Sequence, residues 1–441
     1  MYWRATKAEL WLFAVVVFFM SGAPSGLYVK AFDMAPPAPE AILILPCLGL
    51  MMANLVLRIR VTLNGMVACW AWLGLALLGA ASFLWSLSPA DTVREGVIAV
   101  ITVLYLGMIA GIADWEDILK QVWRVCLVLI SLTLFLYLTV PSLGKMSEIY
   151  PGAMSGPWFE KNAAGQFFLW AGLVNLALFA IRPARILPAM IWTFVCGVCL
   201  ILTESTTALL AFMAVIAIFG LVALLRRSFV ISIPAILGLV FIGMPVTAMI
   251  TMESAAILET LGKSGTLTGR TPVWDALVDF SLDDRPWLGH GYAAFWSSDY
   301  EFTTRALIYD EIKYRVPHSH NTLLEARLDL GWVGKTLFLL AAVQLFIVSL
   351  WRLRSSSGAY FALPFCVAMT LVAMVEVSPL SVGNLAGFMF VLTLGKMTIT
   401  PSRNDRISGA WRWLQRIGHG AVQATGRPLY PAYPGQPIAT A

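Results

Sequence analysis

Thr206-Thr-Ala-Leu-Leu-Ala-Phe-Met-Ala-Val-Ile-Ala-Ile-Phe-Gly-Leu-Val-Ala-Leu-Leu-Arg226-Arg227 decides the class of this chain. Residues 206–225 carry no charge, and as a helix rising about 1.5 Å per residue they cover a hydrocarbon core of roughly 30 Å. The run stops on two adjacent arginines, the residues that stay on the cytoplasmic side of a membrane.

Similar runs recur along the whole sequence. They predict spans near 9–27, 41–57, 66–85, 96–112, 121–140, 163–181, 186–203, 206–225, 229–250, 331–351, 359–377 and 380–398. The composition agrees: 59% of the 441 residues are hydrophobic, 12% are charged, and mean hydropathy is +0.78. These values exclude a soluble domain of ordinary make-up. The expected fold is an all-α polytopic membrane protein of about twelve transmembrane helices with one large outer loop.

The basic pairs test that count, because one missed span would reverse every later pair. Arg58 with Arg60, Lys120 with Arg124, Arg182 with Arg185, Arg226 with Arg227, Arg352 with Arg354, and Lys396 with Arg403 all fall on one side. By the positive-inside rule that side and both termini are cytoplasmic. The chain then divides into a bundle over 1–250, an outer loop over 251–330, a second part of the bundle over 331–400, and a basic segment with a disordered tail over 401–441. Within 401–441, Trp411, Arg412, Trp413 and Arg416 suit an inner-leaflet surface or a stop-transfer anchor. The net charge of +5 is spread between apolar runs and makes no basic face, so nucleic acid is not expected as a partner. All six cysteines lie in apolar runs, and Cys196-Gly-Val-Cys199 reads as helix packing rather than a redox or zinc pair. Arg4 and Lys7 before the first run imitate a signal peptide, but the many later spans favour a retained helix.

Polar chemistry is confined to the outer side. Glu204 and Glu376 close spans at that face, and His290, His318 and His320 belong to the long loop. Arg270 precedes Thr271-Pro272-Val273-Trp274-Asp275, which predicts a helix capped by Thr271. A guanidinium beside such a helix start can bind phosphate, or it can pair with Asp275. Arg285 lies in Asp283-Asp284-Arg285-Pro286-Trp287-Leu288-Gly289-His290-Gly291-Tyr292. Trp287, Tyr292 and Trp296 suit sugar stacking or the headgroup belt. His318-Ser319-His320-Asn321 precedes another predicted helix, in which Thr322 and Glu325 have capping-box spacing. The positive end of that helix opposes protonation of His320, which favours the neutral form a general base needs. Three readings of His320 stay open: base, structural histidine, or metal ligand with His318 and an acid such as Asp283.

His320-Asn321, nine residues, then Gly331-Trp332-Val333-Gly334 resembles the outer-loop motif of the bacterial O-antigen ligase and polysaccharide polymerase superfamily. Gly269-Arg270 with Trp274, and Arg285 to Gly291, resemble its other loop segments. The resemblance implies a GT-C-like architecture in the bacterial inner membrane, with the active loop periplasmic. It implies a metal-independent inverting glycosyltransferase that needs no cofactor. Its donor would be an undecaprenyl-pyrophosphate-linked oligosaccharide, its acceptor a glycan hydroxyl, and its surroundings membrane lipids, with a flippase and a chain-length regulator as partners. His320 then corresponds to the base, and Arg270 and Arg285 to groups on pyrophosphate. His318, Asn321, His290, Glu204 and Glu376 are left as supporting or acceptor-binding residues. Phe159-Glu160-Lys161-Asn162 resembles the turn of exopolysaccharide polymerases of the succinoglycan type, which favours polymerase over O-antigen ligase; a flippase or transporter is the more distant alternative. Thr206 stands where many ligases have arginine, so Lys161 or Arg94 would supply a third cation.

Overall fold

The computed structural model describes residues 4–32, 38–147, 150–182, 186–228, 230, 232–234, 270–280, 282–296 and 318–399. Most of the ninth expected span (229, 231 and 235–250), the loop stretches 251–269 and 297–317, and the basic tail lie outside the described residues.

The described residues form a helical bundle. In chain order its helices are α1 (Lys7–Phe19), α2 (Ala23–Phe32), α3 (Ala38–Leu57), α4 (Ile59–Ala68), α5 (Trp70–Ala81), α6 (Pro89–Ile112), α7 (Trp115–Thr139), α8 (Pro141–Gly144), α9 (Lys161–Ile181), α10 (Ile186–Leu202), α11 (Thr206–Arg227), α12 (Arg270–Phe280), α13 (Thr322–Trp351), α14 (Ala359–Ala373) and α15 (Leu385–Thr398). Helix α6 packs against α4, α5 and α15, and α9 against α10, α11 and α7. Their shared interior is filled by large side chains such as Trp72, Trp115, Trp170, Tyr105 and Phe390.

Among the described residues, α6, α7, α9, α11 and α13 are each long and apolar enough to cross a membrane. Two bent pairs, α1 with α2 at 45° and Ile44–Leu57 with α4 at 103°, raise the number to seven. Trp70–Leu84, α10, α14 and α15 are shorter apolar helices. The chain is thus an all-helical, multi-helix membrane protein in its described part, with crossings less uniform than twelve straight spans. The first expected span breaks where Gly22 has φ +73°. The second expected span closes at Leu57; the chain turns sharply at Arg58, and the connection that follows continues as the helix α4.

Polar contacts sort the bundle into two ends. At one end Arg58 pairs with Glu9 (2.7 Å), Arg4 with Asp114 (3.7 Å), and Arg182 and Lys120 with Glu116. There too, Arg226 donates to the Ser356 carbonyl (2.5 Å), and Arg352 to that of Thr398 (2.9 Å). Arg58, Lys120, Arg182, Arg226 and Arg352 are members of the basic pairs assigned to a single side. At the other end, Lys30 donates to Leu143 and Gly156, Lys161 to Glu204, and Asn162 to Glu376. His290, His318 and His320 lie at this second end.

A small second core sits there, where Val273, Ala276 and Leu277 of α12 pack with Leu282, Phe295 and Leu328. It fixes α12 and the 282–296 loop onto the start of α13.

Candidate active site

Helix α13 begins one residue earlier than its capping-box spacing suggests. Asn321 is the N-cap, its Oδ1 accepting from the amides of Leu323 (3.0 Å) and Leu324 (3.1 Å). Thr322 is inside the helix because its hydroxyl is committed elsewhere, donating to the Glu376 carbonyl (2.6 Å). Glu325, buried, accepts instead from the Ser319 amide (3.0 Å). At α12 the helix likewise starts earlier, at Arg270 rather than after Thr271.

His320 has φ +53°, a left-handed conformation costly for a residue with a Cβ. Such a conformation costs about 1–3 kcal/mol, so something must hold it. Trp274 donates to the Ser319 carbonyl (2.8 Å) and the Ser319 hydroxyl to the Asn321 carbonyl (2.9 Å). With the Glu325, Thr322 and Asn321 bonds, each worth roughly 0.5–1.5 kcal/mol, the turn is over-determined. The side chain that this fixes in place is the histidine.

Around His320 the ends of three other helices converge. Its Nδ1 is buried and lies 3.9 Å from Glu376 Oε2, beyond hydrogen-bond reach but within strong Coulomb range. Glu376 Oε1 accepts from Asn162 Nδ2 (3.2 Å), and Asn162 Oδ1 accepts from the Ser205 hydroxyl (3.2 Å). Beside them the nearly buried Lys161 donates to the Glu204 carbonyl (3.1 Å) and sits 3.4 Å above the Tyr150 ring. Glu204 itself has φ +53° and an exposed side chain. Two of the three non-glycine residues with positive φ among the described residues therefore meet at one place, and strained backbone gathers at functional sites.

The structure thus brings together His318, His320, Asn321, Glu376, Lys161 and the backbone of Glu204. Asn162 and Ser205 join them. Asn162 stood in the Phe159-Glu160-Lys161-Asn162 motif without a role; a polar residue next to the lysine at a span head was the available signal. The His318 and His320 rings are 4.1 Å apart, and ligand atoms of His318, His320 and Glu376 all lie within 4.8 Å of one another. Two imidazoles and a carboxylate can hold a divalent cation. Asp283, the acid first considered for that role, pairs instead with Arg327 (3.2 Å).

Arg285 and His290 belong to a different joint. Gly331 breaks α13 with φ +64° and ψ −159°, a glycine conformation, and the loop 286–291 fills the break. The amides of Trp332 and Val333 donate to the carbonyls of Pro286 (2.8 Å) and Trp287 (3.2 Å). The carbonyls of Leu328 and Asp329, which an unbroken helix would pair with those amides, accept from His290 (2.9 Å) and Gly291 (2.9 Å). These four groups, freed by the kink, are satisfied by the loop. His290 is buried there against Phe295, and burial raises the pKa of the neighbouring Tyr292 phenol. Arg285 donates to the Trp85 carbonyl (2.8 Å) rather than joining the histidine cluster. Arg94 is engaged by Asp91 and Glu95, both at 3.0 Å. Of Arg270 only the backbone is described; it precedes Trp274 by four residues and so shares its face of α12.

Both halves of the HN-x9-GxxG motif now have a structural reason, the first in a strained and tethered histidine turn, the second in the helix break. Residues 190–339 match the O-antigen ligase family. The matched residues take in most of α10, then α11, α12, the histidine turn and the Gly331 break. Over a longer stretch the chain is similar to the exopolysaccharide production protein ExoQ of Rhizobium meliloti (strain 1021), 28% identical over 378 residues, covering 79% of this chain and 81% of that protein. Together the two relationships support the O-antigen ligase and polysaccharide polymerase superfamily, and with it a polysaccharide polymerase or ligase role.

Proposed function

We propose that this protein is a bacterial inner-membrane polysaccharide polymerase. It transfers a glycan from undecaprenyl pyrophosphate to a sugar hydroxyl of the next lipid-linked unit, on the periplasmic side. The observation that carries the reading is the tethered His320 beside Glu376, at the bundle end where the start of α9, Lys161-Asn162, meets the Glu204-Ser205 turn. Similarity to ExoQ, an exopolysaccharide production protein, favours polymerase over O-antigen ligase.

In this reading Nδ1–H of His320 faces Glu376, which leaves Nε2 to receive the acceptor proton. The acceptor oxygen attacks the anomeric carbon from the face opposite the leaving group, and the carbon–oxygen bond to pyrophosphate breaks. Lipid pyrophosphate departs with the electron pair, and configuration inverts. Glu376 stabilises the imidazolium as it forms. Asn162 and Ser205 hold Glu376 in line. Negative charge grows on the pyrophosphate during the step, so cations there favour the transition state over the ground state. Lys161, already seated on the turn where Thr206 stands, supplies one; Arg270, on the α12 face that touches the histidine turn, supplies another. No metal enters this scheme.

Lys161→Gln should lower kcat/KM by about 10–100-fold, the loss of one charge-assisted contact. Lys161→Arg should retain most of the activity. Equal defects in both variants would assign Lys161 to packing. Product analysis separates polymerase from ligase: a strain lacking the protein should accumulate single lipid-linked repeat units. Full-length polymer left unattached would show a ligase instead.

A further inference from the structure

A cleft outside the histidine cluster lies beside the helix break. The segment Thr322–Leu330 runs from the histidine turn, docked on Met374 and Glu376 after α14, to the loop docked on Ser82 and Trp85 after α5. At about 1.5 Å per residue it sets the two places roughly 13 Å apart. At the far place an open cleft of about 470 Å³ is lined by Trp85, Arg285, Pro286, Trp287, Leu288 and Gly289.

The chemistry of this cleft is mixed. Trp287 is 69% exposed and Leu288 42%. Arg285 is anchored through the Trp85 carbonyl, and the Trp85 indole donates to the Leu288 carbonyl (3.1 Å). Among the described residues Arg285 has no carboxylate partner. One turn beyond the break, Lys335 stands 4.9 Å from the Trp332 ring centre, also without a carboxylate partner among the described residues. Trp332 is joined to this loop through the Pro286 carbonyl. Two cations without a carboxylate partner among the described residues therefore flank exposed indoles at the end of an apolar helix. Cations with that setting bind a phosphorylated headgroup whose hydrocarbon tail lies along the aromatic face.

We propose that this cleft docks the pyrophosphate of a second lipid-linked substrate, the acceptor. The inference rests on the polymerase reading. A polymerase must hold two lipid pyrophosphates at once, and the acceptor's lies a short oligosaccharide away from the hydroxyl that reacts. The separation between cleft and His320 provides that room. Arg285 accordingly serves the acceptor, while Lys161 and Arg270 serve the donor.

The test uses the full-length protein in phosphatidylcholine nanodiscs with a short polyprenyl pyrophosphate lacking sugar as probe. Native mass spectrometry counts bound copies, and titration gives their affinities. Wild-type protein should bind two. The double variant Arg285→Gln with Lys335→Gln should weaken one of them at least about tenfold and spare the other, which Lys161→Gln weakens. Trp287→Ala, at an exposed position tolerant of change, should weaken the same copy as the double variant. Inorganic pyrophosphate should bind the cleft more weakly than the lipid form, and phosphatidylglycerol should not displace the probe. A single bound copy, or two copies indifferent to both cleft variants, overturns the proposal. Equal binding of inorganic pyrophosphate, or displacement by phosphatidylglycerol, overturns it as well. His320→Ala should leave both copies bound, so loss of the catalytic reading and loss of this site are separate results.

Discussion

Replacing His320 with alanine is expected to lower chain growth by about 10²–10⁴-fold, the usual contribution of a positioned base. The measurement is polymer formed from lipid-linked repeat units by purified protein, with thermal melting as a control for folding. Melting should change little, because alanine at this position loses only a part-exposed side chain whose buried Nδ1 makes no hydrogen bond. Glu376→Gln should cost less than His320→Ala, since the amide keeps the bond to Asn162 and loses only the charge facing the imidazole. Chelators should leave wild-type activity intact. A chelator-sensitive enzyme would transfer the role of His320 to a metal held with His318 and Glu376, and full activity of His320→Ala would end the base assignment.

Gly331→Ala is expected to cost several kcal/mol of stability, in the range reserved for core disruption, and to abolish activity. A Cβ built on Gly331 would lie 2.2 Å from the Trp287 carbonyl carbon, and φ and ψ there are accessible essentially to glycine alone. Relief of the clash requires the loop to leave, which strips four hydrogen bonds from the break at once. Gly220→Ala in α11 is the control, since a Cβ there meets nothing within 4 Å. It should be neutral or stabilising by about 0.5–1 kcal/mol. Wild-type melting and activity in Gly331→Ala would show that the joint is dispensable.

The helices were legible because an apolar run long enough to span a membrane has few other uses, and the histidine turn because polar residues are scarce in this chain. The family motif then selected His320 over His318. Other features depend on contacts between residues far apart in sequence. Asn162 meets Glu376 across 214 positions, and no local period records which span ends face each other. The displaced cap has the same origin: Asn321 and Thr322 are both good cap formers, and the choice falls to Asn321 because a distant carbonyl takes the Thr322 hydroxyl. Arg285 was grouped with Arg270 by motif, and its guanidinium reaches the Trp85 carbonyl, a contact 200 positions away that no local pattern records. The bends at Gly22 and Arg58 were likewise hidden, since a hydropathy count registers composition and not direction.

The exchange of hydrogen bonds at Gly331 also bears on how the protein is made. A broken helix entering a membrane exposes amides and carbonyls that lipid cannot satisfy, at a cost of several kcal/mol for each unsatisfied group. Here the segment that satisfies them, residues 286–291, is synthesised ahead of the break at 328–333. The ribosome therefore delivers the partner first, and α13 can move into the bilayer with its defect already closed.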